Sequence, residues 1–275
     1  MFVDRGVAAR IEAGEAALAR QVADGVAATG RPVLIDRVAG GLAVLARPGC
    51  PTNKVAGCGF GEPLEEDALA AIEARWWARA EPVRFELATV AAPGLHQALA
   101  ARGYRLDGYE VVLVRSIGAA GVEAGADPAI TVERVTAATA AAWVDASIDG
   151  FGHPDGASPV EAAIDRAALA PIMEDLGGSG LPAYLARVDG VVAGAASARL
   201  ADGVLQLCGA STVPAFRRRG VQRALLRARL ADARAAGCDL AVVTTAPMSQ
   251  SQANVMAAGF AVAYARAVLV RSAPG

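Results

Sequence analysis

The two halves of the chain end in the same way. Residues 112–116, Val-Leu-Val-Arg-Ser, recur without a gap at residues 268–272. The glycine of Arg102-Gly103-Tyr104 stands 156 positions before that of Ala258-Gly259-Phe260, and 268 − 112 gives the same offset. Several sites that agree on one offset predict two copies of a single structural unit.

Domain boundaries are predicted from this repeat and from a local change in composition. Residues 118–128 contain Gly118, Gly121 and Gly125 and few large apolar side chains, which is typical of a linker. We therefore expect one domain over residues 1–117, a linker over 118–128 and a second domain over 129–275.

The second half has the pattern of a mixed α/β domain. A strand over Ile130–Val135 is followed by two segments with helical spacing and by three apolar runs joined at Asp189-Gly190 and Asp202-Gly203. Asp-Gly between apolar runs is typical of tight hairpins, so these strands should form an antiparallel meander. A helix after Gly220, a strand, a short helix from Gln250 and closing strands complete the order.

Composition excludes several classes of protein. The net charge of −2 over 275 residues gives no general attraction to nucleic acid or to an anionic membrane. Met1–Arg20 is too charged for a signal peptide, and no window reaches the ~18 apolar residues of a membrane span. The four cysteines are dispersed, which predicts reduced thiols rather than disulfides or a zinc site. We expect a cytoplasmic protein, and the predominance of arginine over lysine is typical of a GC-rich bacterial genome.

The stretch from Val213 to Leu226 predicts an anion site. A strand leads into Pro214, then into three arginines at 217–219 and Gly220, and a helical run follows. The first N–H groups of a helix lack intrahelical partners and lie at the positive end of its dipole, so they suit a phosphate. At the repeat offset the first half has Gly-Glu-Pro-Leu-Glu-Glu over 61–66, which would repel one. The alternative is a plain strand-to-helix turn with solvated arginines.

This stretch resembles the acetyl-CoA-binding motif of the GCN5-related N-acetyltransferases (GNAT), V-x-P-x-x-[QR]-x-x-G-x-[GA]. Thr212 takes the first position, followed by Pro214, Arg217, Gly220 and Gln222. The order of elements over residues 130–272 is similar to the family's too. The resemblance implies two GNAT-like domains, each a mostly antiparallel central sheet flanked by helices, of which the first is degenerate and lacks the cofactor loop.

The resemblance also implies acetyl-CoA as co-substrate and no metal. The backbone of the strand end would hold the pantetheine arm, the loop N–H groups would wrap the pyrophosphate, and an asparagine on the last helix would lie near the thioester or the pantetheine end. The implied cofactor-binding residues are Thr212, Val213, Arg218, Arg219, Gly220, Val221, Gln222, Arg223 and Asn254.

Three departures from the family pattern concern binding and catalysis. Gln222 stands where the family prefers Gly or Ala, so its side chain either narrows the phosphate cradle or donates a hydrogen bond. Val255 stands where a Tyr general acid is common, and Tyr264 lies nearby in sequence but on a strand. The strand over Leu205–Cys208 carries no carboxylate that could act as a base. The sequence therefore identifies no catalytic residue.

Other polar and aromatic residues have two interpretations each. His153, Asp149 and Asp155, in or beside a glycine-rich loop, either line an acceptor site or are solvated. Trp76-Trp77 is predicted to belong to the core and a domain interface, with one of the two facing the core, rather than to a nucleic-acid stacking platform. We expect Cys208 to be buried and one helix face to be solvated, formed by Arg223, Arg227, Arg229 and Arg234.

Two functions remain open from the sequence. The first is an N-acetyltransferase that moves an acetyl group from acetyl-CoA to an amine of a small molecule or a protein. The second is an acyl-CoA-sensing or interaction protein that kept the cofactor site and lost catalysis. The acceptor amine, the acyl chain and the oligomeric state stay undetermined. A nucleoside-triphosphate enzyme is disfavoured, because no GxxxxGK[ST] motif occurs.

Overall fold

The computed structural model describes residues 3–118, 128–153 and 165–274. The helices over these ranges are α1 (Arg5–Ala28), α2 (Glu66–Trp77), α3 (Leu95–Ala101), α4 (Ala140–Phe151), α5 (Arg166–Gly178), α6 (Val221–Ala235) and α7 (Gln250–Ala257), with a 3-10 turn at Pro214–Phe216. The strands are β1 (Leu34–Val38), β2 (Gly41–Leu45), β3 (Lys54–Ala56), β4 (Val83–Ala88), β5 (Arg105–Ser116), β6 (Ile130–Arg134), β7 (Ala183–Val188), β8 (Val191–Ala201), β9 (Val204–Thr212), β10 (Leu240–Thr245) and β11 (Ala261–Arg271).

These elements divide into two compact units. The C-terminal unit holds Leu113–Val262, and the N-terminal unit holds Phe2–Val112 together with Ala263–Gly275. Strands β5 and β11 therefore each cross a unit boundary. This division differs from the predicted domains at the end of the chain, because residues 263–275 belong to the second repeat in sequence but pack in the N-terminal unit.

In the N-terminal unit the strands lie in the order β1-β2-β3-β4-β11-β5. β1, β2 and β3 are antiparallel, β3 is parallel to β4, and β11 runs antiparallel to β4 from Arg266↔Ala88 to Arg271↔Val83. The core beneath the sheet contains Trp76, which is fully buried as predicted.

A buried arginine fastens β11 in this sheet. Arg266 is 0% exposed, and its guanidinium lies 2.8 Å from Glu12 and 3.3 Å from Glu15, both on α1. It also lies 3.5 Å from Glu110 on β5. Removing a buried cation from several buried carboxylates costs a large free energy, because the carboxylates are then left without a counter-charge. This cost explains why the C-terminal segment belongs to this unit.

The same carboxylates hold a second buried cation. Lys54 on β3 lies 3.0 Å from Glu15 and 2.8 Å from Glu86 on β4. Tyr264 donates its hydroxyl to Glu12 at 2.7 Å. We refer to this group as the ion cluster, and its members are Glu12, Glu15, Lys54, Glu86, Glu110, Tyr264 and Arg266.

Glu110 makes the stability of the N-terminal unit depend on pH. Burial, with the nearby Glu86 carboxylate, raises the pKa of Glu110 from 4.5 to about 7, against the opposing effect of Lys54 and Arg266. The folded protein then keeps a proton that the unfolded chain has lost, so this group's contribution to stability falls as the pH rises through that interval.

Glu110→Gln should remove this dependence, because an amide oxygen can still accept from Arg266 and has no proton to lose. Relative to wild type, the variant should gain about 1–3 kcal/mol in unfolding free energy between about pH 5 and about pH 8. Urea unfolding at both pH values measures the gain. The exposed Glu62→Gln serves as control, and an equal Glu110→Gln effect at the two pH values would contradict the raised pKa.

In the C-terminal unit the strands lie in the order β10-β9-β8-β7-β6, with the end of β5 next to β10. Strands β6 to β9 are antiparallel and β10 is parallel to β9. At Asp189-Gly190 and Asp202-Gly203 both residues have positive φ, the geometry of a type I′ hairpin turn, so the predicted meander is confirmed. Trp143 of α4 is buried against the sheet and donates its indole N–H to Ala196 O at 3.1 Å.

The order of elements repeats at the offset of the sequence repeat. Moved by 156 positions, α2 falls within α6, and β4, α3 and β5 overlap β10, α7 and β11. In each unit the antiparallel strands end in one parallel pair, β3–β4 or β9–β10.

Two element boundaries have a local explanation or a clear position in the sequence. Helix α4 continues through Gly150 and Phe151, because a Cβ at Gly150 would lie only 2.4 Å from Ser211 Cβ and the glycine lets the helix pass close to β9. Helix α2 begins at Glu66, three residues after Pro63. Most of the predicted linker and residues 154–164, with Asp155, lie outside the described residues.

Candidate functional site

The two parallel strands of the C-terminal unit separate towards their carboxyl ends. Their ladder runs from Leu240↔Val204 to Val243↔Leu207, while β9 continues to Thr212 and β10 to Thr245. We call the space between these two ends the strand gap. In open α/β sheets ligands bind outside the carboxyl ends of parallel strands, so the gap is a natural place for one.

Local backbone geometry accounts for the separation. The β8–β9 register shifts between Ala195 and Ser197, and Gly209 on β9 has φ +57°. A bulge of this kind bends a strand and increases its twist. Two further glycines permit close packing around the end of β9: a Cβ at Gly194 would lie 2.7 Å from Val221, and Gly150 faces Ser211.

The loop after β9 leads directly into a helix with free N–H groups. Gly220 is the N-cap of α6 with φ +88°, a conformation that suits glycine. The first intrahelical bond is donated by Ala224 to Gly220 O at 3.0 Å. The preceding N–H groups of Val221, Gln222 and Arg223 have no acceptor among the residues that the structure describes. They lie at the helix start that the sequence predicts to bind an anion.

The three arginines of the loop have different surroundings. Arg217 donates to Gly150 O at 3.4 Å and to His153 O, so its charge caps the end of α4. Arg219 lies 3.4 Å from Asp189 and over the ring of Phe216.

Two other guanidinium groups near the helix start are available. Arg218, with φ +60°, and Arg223 are both exposed, and within the described ranges neither has an ion-pair partner. The positive charge offered to an anion therefore comes from Arg218 and Arg223 rather than from all three loop arginines. Gln222 is half-buried on the first turn of α6.

Two buried hydroxyl groups border the strand gap. Thr212 is 9% exposed and Thr245 is 5% exposed, and the hydroxyl of each has no hydrogen-bond partner in the part of the chain described. A buried hydroxyl without a partner is unfavourable by about 1–3 kcal/mol, and such groups call for an explanation. Because they lie at the ends of the two strands that form the gap, the gap is a candidate ligand site.

The helix α7 carries the last predicted cofactor residue. Asn254 is exposed and accepts a hydrogen bond from Gln250 Nε2 at 3.0 Å. Arg115, at the end of β5, donates to Ala258 O at 2.7 Å and holds the end of the helix. Asn254 and the arginine loop therefore lie in one unit, although no described contact joins them.

Candidate catalytic groups are not supplied by the residues that the sequence considered. Val255 is half-buried and apolar, and Tyr264 is a member of the ion cluster, where burial raises the pKa of its hydroxyl. On α4, Asp149 lies 2.6 Å from Arg166, and His153 Nδ1 lies 2.9 Å from Asp149 O. Asp149 is thus already ion-paired, which weakens its attraction for a cationic amine.

One predicted solvated residue is buried. Arg229 on α6 is 3% exposed and donates to Ser197 O at 3.2 Å and to Leu225 O at 3.1 Å. Burial lowers the pKa of this guanidinium to about 10. The prediction of a fully solvated arginine face was therefore wrong, because the spacing of Arg229 puts it on the side of α6 that packs on the sheet. Cys208, predicted to be buried, is half-buried.

The sequence analysis did not single out Thr245 as a candidate site residue. The only signal was the pair Thr244-Thr245 closing an apolar strand, at the repeat offset from Thr89. That pattern is also typical of an ordinary strand end, so only the burial and the missing partner distinguish Thr245.

The C-terminal unit is thus a mixed α/β domain with a strand gap beside a helix start that has free N–H groups. Its residues 142–260 match the model of the acetyltransferase (GNAT) family. This match agrees with the resemblance seen in the sequence, and it supports an acetyltransferase function in general.

Solved structures match much of the chain. A GCN5-related N-acetyltransferase from Kribbella flavida has a TM-score of 0.66 at 20% identity, over 94% of this chain and 96% of that one. A tandem GNAT protein from the clavulanic acid biosynthesis pathway has a TM-score of 0.56 at 15% identity, over 84% and 74%. A GCN5-related N-acetyltransferase from Sphaerobacter thermophilus has 0.55 at 16% identity, over 76% and 67%. At these identities the likeness concerns the fold: a mostly antiparallel sheet flanked by helices.

Three further findings are negative. No curated protein matches the chain. Among the described residues there is no group of three or more His, Cys, Asp or Glu side chains that could hold a metal ion. Within the same ranges no helix is both long and apolar enough to cross a membrane.

Proposed function

We propose that the C-terminal unit binds acetyl-CoA and transfers its acetyl group to an amine. The observation that carries this proposal is the strand gap, which opens directly before a helix start with free N–H groups. An extended pantetheine arm needs such a gap between strands, and a pyrophosphate needs such a helix start. The glycines at 150, 194 and 220 and the unpartnered hydroxyl of Thr212 fit a ligand in this place.

Each part of the site has a role in this proposal. The backbone of Thr212 and Val213 holds the pantetheine arm. The N–H groups from Arg218 to Arg223 bind the pyrophosphate, and the guanidinium groups of Arg218 and Arg223 supply its counter-charge. The half-buried amide of Gln222 donates a hydrogen bond at the helix start, and Asn254 on α7 lies towards the thioester end.

In the reaction, the nitrogen of a neutral amine attacks the acetyl carbonyl carbon. The C–N bond forms as the C–S bond breaks, and the proton that the amine loses passes through water to the sulfur of CoA. The thioester supplies the reactivity, while the protein supplies binding and orientation. This division of labour is consistent with Val255 at the place of a general acid.

We further propose that the N-terminal unit is a degenerate copy that binds no CoA. Its parallel pair is reduced to Val55↔Phe85. The start of its helix α2 borders a cavity of about 300 Å³ whose lining includes Arg37, Glu62 and Glu65. Arg37 is paired with Glu62 at 3.3 Å, so the remaining charge there is negative and disfavours a phosphate.

A second candidate function is an acyl-CoA sensor without catalysis. The absence of a carboxylate or tyrosine at the expected catalytic positions favours it. The two functions differ in one measurement, the release of CoA thiol in the presence of a panel of primary amines. Acetyl transfer releases thiol with at least one amine, whereas a sensor binds acetyl-CoA and releases none.

Binding is tested with matched glycine variants. Gly220 and Gly180 both have left-handed φ, +88° and +73°, and neither faces a close contact for an added Cβ. Alanine at either site should therefore cost about 1–2 kcal/mol in stability. Only Gly220→Ala should also lower acetyl-CoA affinity, by at least about tenfold, because it distorts the helix start.

Isothermal titration with acetyl-CoA and thermal unfolding give the two readouts. At 100-fold excess over its dissociation constant, acetyl-CoA should stabilise wild type by about 2.7 kcal/mol. The proposal is wrong if acetyl-CoA at 1 mM neither binds nor raises the melting temperature of wild type. Equal affinities of the two variants would exclude the loop as the phosphate site.

A further inference from the structure

Thr245 has a buried hydroxyl that the protein does not use. Its side chain closes β10, is 5% exposed, and makes no hydrogen bond to the described residues. Among the described residues no group replaces the hydrogen bonds that this hydroxyl makes to water in the unfolded chain. The buried hydroxyls of Ser147 and Ser211, by contrast, are satisfied by Trp143 O at 2.8 Å and Ala146 O at 3.3 Å.

The register of the parallel pair fixes the depth of Thr245 in the strand gap. The last ladder pair is Val243↔Leu207, so Thr245 lies two residues beyond the closed end of the gap. Thr212 lies five residues beyond it, at the open end. With about 3.3 Å per residue, the two hydroxyl-bearing residues stand roughly 7 Å and 16 Å along the strands from the closed end.

The residue on β9 level with Thr245 offers no side chain of its own. Continuing the register by two residues brings Thr245 opposite Gly209, which has φ +57° and sits in the β8–β9 bulge. A Cβ there would lie 3.2 Å from Leu176. Of the two residues at this level of the gap, Gly209 and Thr245, it is therefore Thr245 that offers a side-chain hydrogen-bond donor.

We propose that Thr245 Oγ1 donates a hydrogen bond to the acyl carbonyl oxygen of the bound thioester. This inference rests on the proposed function, in which Thr212 and Val213 hold the pantetheine arm, and it places the reactive end of the arm deeper in the gap. The carbonyl oxygen can only accept, and the hydroxyl can donate. A donor at this oxygen polarises the carbonyl and orients it for attack, because negative charge develops there during acyl transfer.

The role is separable from general cofactor binding, because CoA lacks the acyl carbonyl. Thr245→Val keeps the shape and removes the hydroxyl, while Thr245→Ser keeps the hydroxyl. Thr245→Val should weaken acetyl-CoA binding about 5–10-fold and leave CoA binding unchanged. Thr245→Ser should bind both within about twofold of wild type. Thr212→Val, the matched variant at the open end, should change both affinities by the same factor.

Isothermal titration of each variant with acetyl-CoA and with CoA measures these ratios. Infrared spectra of acetyl-CoA carrying a 13C-labelled carbonyl give a second readout. The carbonyl band should lie at lower frequency in wild type and Thr245→Ser than in Thr245→Val. Without ligand, Thr245→Val should melt no lower than wild type, since the hydroxyl has no partner to lose.

The inference is overturned if Thr245→Val weakens acetyl-CoA and CoA equally, or weakens neither, or leaves the carbonyl band unmoved. A lower melting temperature of ligand-free Thr245→Val would show that the hydroxyl bonds within the protein, which also overturns it. If wild type binds neither acetyl-CoA nor CoA, the proposed function itself fails. That outcome is distinct from one in which wild type binds acetyl-CoA and CoA and the substitution of Thr245 changes neither affinity.

Discussion

Replacing Arg266 by methionine should unfold the N-terminal unit more than any other single change considered. Arg266 is 0% exposed and pairs with Glu12, Glu15 and Glu110, so its loss leaves buried carboxylates without their shared cation. Breaking a buried pair by removing one partner destabilises by about 3–5 kcal/mol. In a unit of this size we expect the melting temperature to fall by roughly 10 °C or more.

Thermal and urea unfolding of Arg266→Met measure this loss. Arg20→Met is the matched control, because Arg20 forms a surface pair with Asp24 at 3.5 Å with both side chains 58% exposed. The control should change stability by no more than about 0.5 kcal/mol. If the two variants behaved alike, the ion cluster would not be what holds β11.

Reversing the two available charges beside the helix start should nearly abolish binding of acetyl-CoA. Arg218 and Arg223 are exposed and lack ion-pair partners among the described residues, so their substitution disturbs little of the fold. In Arg218→Glu/Arg223→Glu four units of charge change next to the proposed pyrophosphate. We expect the dissociation constant to rise at least about 100-fold, or about 2.7 kcal/mol.

The salt dependence of this effect separates electrostatics from a folding defect. In wild type, affinity should fall as ionic strength rises, and in the double variant this dependence should vanish or reverse. Arg105→Glu, an exposed change in the N-terminal unit, should leave the affinity unchanged. A double variant that binds acetyl-CoA as wild type does would show that the phosphate lies elsewhere.

Much of the fold could be predicted because the sequence is locally consistent. The Asp-Gly turns, the apolar strands between them and the helix after Gly220 rest on interactions between neighbours in sequence. The repeat also relates whole elements, since α3 moved by the offset falls on α7. What could not be predicted is the placement of residues 263–275, because it depends on Arg266 meeting carboxylates more than 150 residues earlier in the chain.

The candidate site was predicted in outline and not in its side-chain details. Gly220 and the free N–H groups follow from the strand-to-helix pattern alone. The pattern does not show which arginines can bind an anion, because Arg217 contacts the end of α4 and Arg219 contacts Asp189 through tertiary packing. The burial of Arg229 and the unpartnered hydroxyl of Thr245 also depend on tertiary packing. They could not be predicted, because the spacing of residues in the sequence does not show which groups pack against each side of a helix or strand.

The pairing of Arg266 with Glu110 has a consequence for how strands β5 and β11 pair within the N-terminal unit. These residues occupy the same place in the repeat, since 266 − 110 is 156, and they lie on strands that are neighbours in the sheet. Two identical strands would set like charges side by side, which disfavours burial. Because they carry opposite charges there, β5 and β11 are complementary rather than interchangeable, so each strand is matched to the other and not to a duplicate of itself.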